Sequence, residues 1–421
     1  MARGGRWGHH PGQAPSGRRL FLGPGDRDAA LARALGGRMS GGQDIHPLFF
    51  SPSVLAVTPN SGSNAGGTPV LITGQNFRPG ATVQFGGVAA TLVVVNGPTS
   101  ISCTTPAHGP GAVNVTVTNP DLQTGTLVNG YTYMAPLFAA VGLNVAALST
   151  DLGATYTAHA IPAGDYRAIT ATASLFCTVG TLGEVATSPD GITWTAQTGP
   201  ASVDLFGIAT DGSIFVAVGQ AAAGAVIYTS TDGTSWTNRP VTTTAGDLMN
   251  CVTWNGSIFC AIDNHGHSFT SSNGISWARF TDSDLSLNSP ISIAWSGTIF
   301  VVVSGSAGVG NLDATSSTGQ TWTGQSTVPN HVHSSIVWGG AKFAVVNSSA
   351  TGSNLTDLSA DGISWSSSSP MPASGYTAIT VGSNVLAAVG PNKAAISSNG
   401  GTTWVAGTIP AGSWRAITFR Q

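Results

Sequence analysis

A short turn sequence that recurs seven times constrains the fold of this chain more than any other feature. In its commonest form it reads Ser-x-Asp-Gly-x-x-Trp, as at residues 188–194, and its closing aromatic residue recurs every 38 to 45 residues. Ser and Asp oxygens accept hydrogen bonds from turn N–H groups, and Gly supplies a positive φ angle. We therefore predict seven similar sets of β-hairpins, each of the size of one propeller blade. The closing aromatic residues are Tyr156, Trp194, Trp236, Trp277, Trp322, Trp365 and Trp404.

A second hairpin precedes the turn sequence within each repeat. It carries Asp-Gly or Asn-Gly pairs, such as Asp211-Gly212 and Asn255-Gly256, which suit a two-residue type I′ turn. Two hairpins per repeat supply four strands. In the second hairpin of the fourth repeat, a two-residue turn would place Cys251 directly opposite Cys260, so either a disulfide or two reduced core thiols is expected there.

The two ends of the repeat array are complementary. The first repeat begins at residues 138–142, which correspond to the second strand of later repeats, so its innermost strand is missing. The last residues, 414–418, copy the innermost strand at residues 166–170. The C-terminal strand is therefore predicted to complete the first blade and close a ring of seven, which removes free sheet edges.

Residues 49–134 alternate apolar and polar positions in short runs, which predicts a β-sandwich. Several short motifs in this segment, in order, resemble the immunoglobulin-like IPT/TIG domain. That resemblance implies an extracellular spacer or interaction module, or in some families a DNA-binding one. Arg78 is the only Arg or Lys in the segment, which argues against DNA binding. The motifs are Pro-Asn-Ser-Gly at 59–62, Gly-Gly-Thr at 66–68, Ile-Thr-Gly-Gln-Asn-Phe at 72–77, Val-Gln-Phe-Gly-Gly at 83–87, Thr-Pro-Ala at 105–107 and Tyr-Thr-Tyr at 131–133.

The repeated turn sequence itself resembles the Asp box of sialidase-like (BNR-repeat) propellers. This similarity spans about residues 137–421. Together the two resemblances and the repeat pattern predict an all-β chain. An Ig-like β-sandwich over 49–134 is followed by a seven-bladed β-propeller over 135–421 that the C-terminal strand closes.

The composition limits the classes of partner. Only 8% of the residues are charged, so the surface carries mainly hydroxyl and amide groups. Residues 39–421 have a net charge of −8, which argues against sequence-specific nucleic-acid binding by the folded part. No apolar run is long enough for a membrane span, so no membrane insertion is expected.

The first 48 residues are predicted to be a basic flexible arm. Residues 1–38 carry seven of the thirteen arginines and lack sustained periodicity. The arm is expected either to make anchoring contacts in an assembly or to be an annotation artefact, with translation starting at Met39.

Catalysis of the sialidase type is not expected. The resemblance would require three arginines for the substrate carboxylate and a Tyr with a Glu partner, but Arg239 and Arg279 follow turn tryptophans on outer strands and Glu184 has no evident Tyr partner. We therefore predict no enzymatic activity and no cofactor. A glycan hydrolase remains an alternative, because four aspartates precede inner strands and could meet as a catalytic pair. They are Asp204, Asp247, Asp282 and Asp284.

The loops at one face of the propeller hold the predicted ligand site. Tyr166-Arg167 and Trp414-Arg415 each place an aromatic ring beside an arginine, a pairing that suits a sugar or an anion. We expect Tyr376, Asp204 and Asp247 on the same face. The alternative is that both arginines only cap the channel.

Two His-x-His pairs have a spacing found among metal ligands. In an extended strand, His265 and His267 would project to one side, as would His331 and His333. A third ligand is not apparent for either pair, so solvent-facing loop histidines are the alternative.

These features favour a non-catalytic surface or virion structural protein that binds a host glycan or protein through the propeller. Neighbouring virion proteins are the other expected partners, and the localisation is then the virion or the cell exterior. The alternatives are a bacterial exported adhesin and the glycan hydrolase.

Overall fold

Runs rich in Val, Ile, Ala and Phe, separated by Gly- and Ser-containing turns, form strands throughout the described chain, because such residues pack well on a pleated surface. The structure is a computed structural model that describes residues 50–243, 245–285, 289–306, 312–325, 328–348 and 355–420. The predicted arm, with the alternative start at Met39, lies outside the described residues. Helix in the described part is limited to two 3₁₀ turns, Thr181–Gly183 and Ser283–Leu285. None is long and apolar enough to cross a membrane.

Residues 53–134 form two sheets that pack around one apolar core. Ile72, Phe85 and Val115 are fully buried there, and Tyr131 packs edge-on against Phe85. Strands β1-β3-β7-β6 form the first sheet and β2-β9-β8-β4-β5 the second. The strands are β1 (Ser53–Thr58), β2 (Ser61–Ser63), β3 (Pro69–Gln75), β4 (Thr82–Phe85), β5 (Val88–Ala89), β6 (Thr91–Gly97), β7 (Ser100–Thr104), β8 (Gly111–Thr118) and β9 (Thr124–Met134).

Residues 137–420 form seven four-stranded antiparallel sheets. Six of them use four consecutive strands. In chain order these are β13 (Tyr166–Ala171), β14 (Phe176–Gly180), β15 (Val185–Ser188), β16 (Thr195–Gln197); β17 (Asp204–Thr210), β18 (Phe215–Ala221), β19 (Gly224–Ser230), β20 (Thr237–Asn238); β21 (Met249–Trp254), β22 (Phe259–Asp263), β23 (His267–Ser271), β24 (Ala278–Thr281); β25 (Pro290–Trp295), β26 (Phe300–Ser304), β27 (Asp313–Ser316), β28 (Thr323–Gln325); β29 (His333–Trp338), β30 (Phe343–Asn347), β31 (Leu355–Ser359), β32 (Trp365–Pro370); and β33 (Ala378–Gly382), β34 (Val385–Gly390), β35 (Lys393–Ser397), β36 (Val405–Gly407).

The remaining sheet joins both ends of the array. It consists of β10 (Leu137–Gly142), β11 (Val145–Ser149), β12 (Thr157–His159) and the C-terminal β37 (Trp414–Arg420). Strand β37 pairs antiparallel with β10, and Phe138 lies opposite Phe419. The first strands of successive sheets pack against one another in series, and β37 contacts both β33 and β13.

The second strand of each sheet is buried along nearly its whole length. In five sheets this strand begins with a buried Phe, and the tryptophan that closes the turn sequence packs on it. Ring centroids are 6.3 Å apart for Phe176 and Trp194 and 6.4 Å apart for Phe300 and Trp322, with the same interplanar angle of 41°. The recurring aromatic residue is thus explained by one contact that is repeated from sheet to sheet.

The turn sequences, which we name the Ser-Asx turns, share one hydrogen-bond pattern. In the sixth, the Ser359 hydroxyl accepts from Gly362 N at 2.8 Å and donates to Asp361 at 3.0 Å. Asp361 Oδ1 accepts from Ile363 N and Ser364 N at 2.9 and 2.7 Å. These N–H donors hold the pKa of Asp361 down at about 2, with Ser364 N as the largest contributor.

Each Ser-Asx turn also packs on the preceding sheet. Gly362 has a φ of +70°, and a Cβ there would lie 2.5 Å from Val301 Cγ2 of the sheet before it. A Cβ on Gly153 of the first turn would likewise lie 3.1 Å from Ile396 Cγ2 of the seventh sheet. Glycine is therefore needed twice over, for the backbone angle and for the close approach.

The prediction of two-residue type I′ hairpins is wrong. Asn255 Oδ1 accepts from Ser257 N and Ile258 N, which closes a four-residue loop between Trp254 and Phe259. This longer loop shifts the pairing by two residues, so Cys251 lies opposite Ile262 and Cys260 opposite Thr253. Both thiols are free and buried, and burial raises the pKa of Cys251 to about 12.

Candidate functional site

The first strands of the seven sheets share a four-residue pattern at their beginning. A buried residue, which is large except at Pro290 and differs between sheets, is followed by a second variable residue, a small residue and then Ile or Val. We name the second variable residues the mouth positions, because all seven line a single cavity of about 410 Å³ together with Ser348. The mouth positions are Arg167, Phe206, Asn250, Ile291, Ser334, Thr377 and Arg415.

A β-bulge explains why these residues point into the cavity. In five sheets, the pairing between the first and second strands skips the variable residue, as between Tyr166 and Ala168. The pairing of β10 with β37 skips Arg415 in the same way, between Trp414 and Ala416. A bulge re-aims one side chain and is often found beside functional sites. Thr377 lies directly before β33 and completes the set.

A second, smaller cavity of about 260 Å³ continues along the same strands. Its lining adds the small residue and the Ile or Val that follow each mouth position, for example Ala168 and Ile169. The Ile or Val of each first strand therefore joins the mouth positions in lining this second cavity.

Three polar mouth positions bind the main chain of the next sheet. Asn250 Nδ2 donates to Pro290 O at 2.8 Å, and the Ser334 hydroxyl donates to Tyr376 O at 2.6 Å. The Thr377 hydroxyl donates to Trp414 O at 2.8 Å. These side chains connect neighbouring sheets as well as lining the cavity.

Arg167 and Arg415 share one carboxylate. Asp165 Oδ2 lies 2.7 Å from an NH₂ nitrogen of Arg167, and Asp165 Oδ1 accepts from Arg415 Nε at 2.6 Å. The two arginine side chains are about one-third exposed, at 35% and 36%. Both arginines line the cavity, whereas Asp165 and the neighbouring Glu184, whose Oε2 accepts from Asp165 N at 2.6 Å, do not. The lining therefore offers cationic N–H donors, which favour an anionic group.

The predicted aromatic platform is wrong. Tyr166, Trp414 and Tyr376 occupy the large position of the pattern and are 1% exposed, because residues adjacent to the bulge pack between sheets. The Tyr166 hydroxyl donates to Pro162 O and Trp414 Nε1 donates to Pro410 O. Burial raises the pKa of Tyr166 and Tyr376 to about 12. The arginines next to Tyr166 and Trp414 do reach the cavity.

The predicted aspartates contact separate partners. Asp204 Oδ1 accepts from Leu182 N at 2.9 Å, and buried Asp247 pairs with His265 at 2.9 Å. Asp282 and Asp284 accept from backbone N–H groups beside and within β28. None of the four is among the residues that line the two mouth cavities in the described part of the chain.

The two His-x-His pairs have different surroundings. His265 pairs with Asp247, whereas His267 Nδ1 lies 2.7 Å from Asp263 Oδ2 and His267 Nε2 lies 2.8 Å from an NH₂ nitrogen of Arg279. His331 and His333 instead both approach Asp357. Among the described residues, His331, His333 and Asp357 are the group whose ligand atoms could hold a metal ion, all within 4.8 Å of one another.

Five mouth positions were missed at the sequence level. Phe206, Asn250, Ile291, Ser334 and Thr377 do not share a residue type, so no chemical motif marks them. The available signal was positional, because each of them comes directly before a small residue and then Ile or Val.

Comparisons with known proteins match the N-terminal domain in sequence. Residues 52–134 match the IPT/TIG domain family. A segment of 68 residues, 16% of this chain, is 41% identical to Fibrocystin-L of Homo sapiens but spans only 2% of that protein.

Solved structures are similar in fold. Virginiamycin B lyase from Staphylococcus aureus superposes with a TM-score of 0.50 at 12% identity, over 59% of this chain and 85% of that chain. The WD40 β-propeller domain of Doa1 gives 0.46 at 15% identity, over 60% and 86%. The described chain is all-β apart from two 3₁₀ turns, and its residues 52–134 match the IPT/TIG family. The superposition at a TM-score of 0.50 indicates that the sheets after this domain are propeller-like.

Proposed function

We propose that this protein is a non-catalytic binding protein of a virion or cell surface, and that its mouth positions contact a glycan or protein on a host surface. One observation carries the proposal. Each of the seven sheets places one residue, of six different types in all, on a single cavity, while the Ser-Asx turns that support the sheets repeat. A repeated scaffold that brings seven side chains of differing chemistry to one cavity has the organisation of a binding site.

The fold that we propose for residues 135–421 is a closed seven-bladed propeller of the Asp-box type. Support comes from the pairing of β37 with β10 and from the packing of Gly153 on the seventh sheet. The hydrogen-bond pattern of the Ser-Asx turns supports the relation to Asp-box repeats.

The chemistry of the cavity favours a ligand with a carboxylate or sulfate group. Arg167 and Arg415 offer charged N–H donors beside the hydroxyl of Thr377. Phe206 and Ile291 line the same cavity and could contact the apolar face of a sugar or side chain. A charge-poor surface rich in hydroxyl groups is consistent with a location outside the cell or on a virion, and this location is part of the proposal.

Binding of the full-length chain to a glycan array and to candidate host cells tests the proposal. The array should include neutral, sialylated and sulfated glycans. Wild type is expected to bind acidic glycans or a cell-surface protein, and Arg167→Gln should weaken binding by about tenfold or more, because a hydrogen bond to a charged group contributes about 1.5–3 kcal/mol.

Arg239→Gln is the matched control. It removes the same charge from an arginine whose Nε donates to Thr229 Oγ1, outside the cavity lining. Its binding should equal that of wild type. Equal losses in both variants, or no binding by a folded wild-type chain, would contradict the proposal. Release of cleaved glycan would instead favour a hydrolase.

A further inference from the structure

A buried histidine next to the cavity mouth has an unsatisfied ring nitrogen. His333 begins β29, directly before the mouth position Ser334, and its side chain is fully buried. Its Nδ1 lies 3.2 Å from Ser304 O. A carbonyl oxygen can only accept, so Nδ1 carries the proton, and Nε2 presents a lone pair in the neutral ring.

That lone pair is directed at a second acceptor. His333 Nε2 has no hydrogen-bond partner among the described residues, and it lies 3.7 Å from Asp357 Oδ2, which is also fully buried. Two acceptors that face each other out of water repel unless a cation lies between them. The same oxygen of Asp357 lies 3.0 Å from His331 Nδ1.

We propose that His331, His333 and Asp357 bind a divalent transition-metal ion, with Zn²⁺ as the favoured occupant. Zinc ligands at about 2.1 Å in a tetrahedron lie about 3.4 Å from one another. The two distances to Asp357 Oδ2, 3.0 and 3.7 Å, are close to this value. Two imidazoles and one carboxylate suit Zn²⁺ better than Ca²⁺ or Mg²⁺, which prefer oxygen ligands.

The surrounding contacts are those of a metal site. Ser304 O fixes the tautomer of His333, and the Ser367 hydroxyl donates to Asp357 Oδ1 at 2.8 Å, which orients the carboxylate. The His331 side chain is 25% exposed and provides access from solvent, so water can fill the fourth position. The ion would connect the start of β29 to β31 and so fix the strand that carries Ser334.

Zinc titration of the tag-free, chelator-treated full chain tests this site. We expect wild type to bind one equivalent more Zn²⁺ than His331→Ala or Asp357→Asn, and affinity at this site should fall by at least about tenfold in each variant. Co²⁺ should give the visible absorption bands of a four-coordinate site in wild type only. Ca²⁺ should not bind there.

His265→Ala is the control, because His265 belongs to the other His-x-His pair and contacts Asp247 instead. It should keep the full stoichiometry. The proposal fails if wild type binds no Zn²⁺ at this site, or if His331→Ala and Asp357→Asn bind as wild type does. Circular dichroism checks the fold of each variant. If Asp357→Asn does not fold, the partly exposed His331→Ala decides alone.

Discussion

The Ser-Asx turns and the mouth positions are two sets of seven equivalent places, and they differ in how much their residues vary. Every turn has its Ser and its packed Gly, and the residue two positions after the Ser is Asp, Asn or, once, Thr. The mouth positions include two arginines, one aromatic, one aliphatic and three neutral polar residues. We infer that the repeated places determine the fold and the varied ones determine recognition. The predictions below test this division.

Removal of β37 should have the largest effect. Deleting residues 414–421 removes buried Trp414, Ala416 and Ile417 and leaves β10 with an unpaired edge. The loss of one buried Trp alone costs about 3–5 kcal/mol, so the truncated chain should aggregate or fail to fold. Solubility and circular dichroism measure this. A synthetic peptide of residues 412–421 should restore the fold, and a stable truncated chain would show that β37 is dispensable.

Glycine substitutions in the Ser-Asx turns should have the next largest effect on stability. Gly362→Ala forces a Cβ to within 2.5 Å of Val301 at a φ of +70°, and we expect a loss of about 2–4 kcal/mol of unfolding free energy. Gly400 has nearly the same φ, +68°, but open space around its Cβ, so Gly400→Ala should cost only about 1–2 kcal/mol. Urea unfolding compares the two. Equal losses would mean that contact with the preceding sheet is unimportant.

The acidic turns should weaken at low pH. The folded-state pKa of Asp361 is about 2, below its ordinary 3.8, so its stabilising contribution is present above about pH 4 and is lost as the pH falls towards 2. Asp361→Asn keeps an acceptor oxygen, as Asn273 and Asn399 do in two other turns. Thermal melting from pH 2 to 5 should show wild type losing more stability than Asp361→Asn. If the melting temperatures of wild type and Asp361→Asn fall in parallel with pH, the Asp361 carboxylate is not the origin of the acid sensitivity.

The sequence predicted the repeated places better than the varied ones. The spacing of Ser, Gly and Trp indicates local hydrogen bonds, so the turns could be inferred from neighbouring residues. The likeness of residues 414–418 to 166–170 predicted the partner of the C-terminal strand, and β37 pairs with β10. The bulges were not predicted from the sequence. Without them, the sequence does not show whether Tyr166 or Arg167 faces the cavity.

Long-range contacts explain the other differences. Asp357 lies 24 residues after His333 and reaches it only because β31 belongs to the same sheet as β29, so the two His-x-His pairs look equivalent in sequence. Asp165 likewise meets Arg415 from 250 residues away. The register of Cys251 and Cys260 depends on the Asn255 side chain, whose hydrogen bonds close a four-residue loop.

The central claim is tested most directly by measuring unfolding free energy and ligand affinity together for Arg167→Gln and Asp361→Ala. The ligand is the one identified by wild-type binding. Arg167→Gln should change stability by less than about 1 kcal/mol, because its ion pair is partly exposed, and should reduce affinity by about tenfold or more. Asp361→Ala should lose about 1–2 kcal/mol of stability and keep its affinity. The opposite pattern, with stability lost at the mouth and affinity lost at the turn, would contradict the division between fold and recognition.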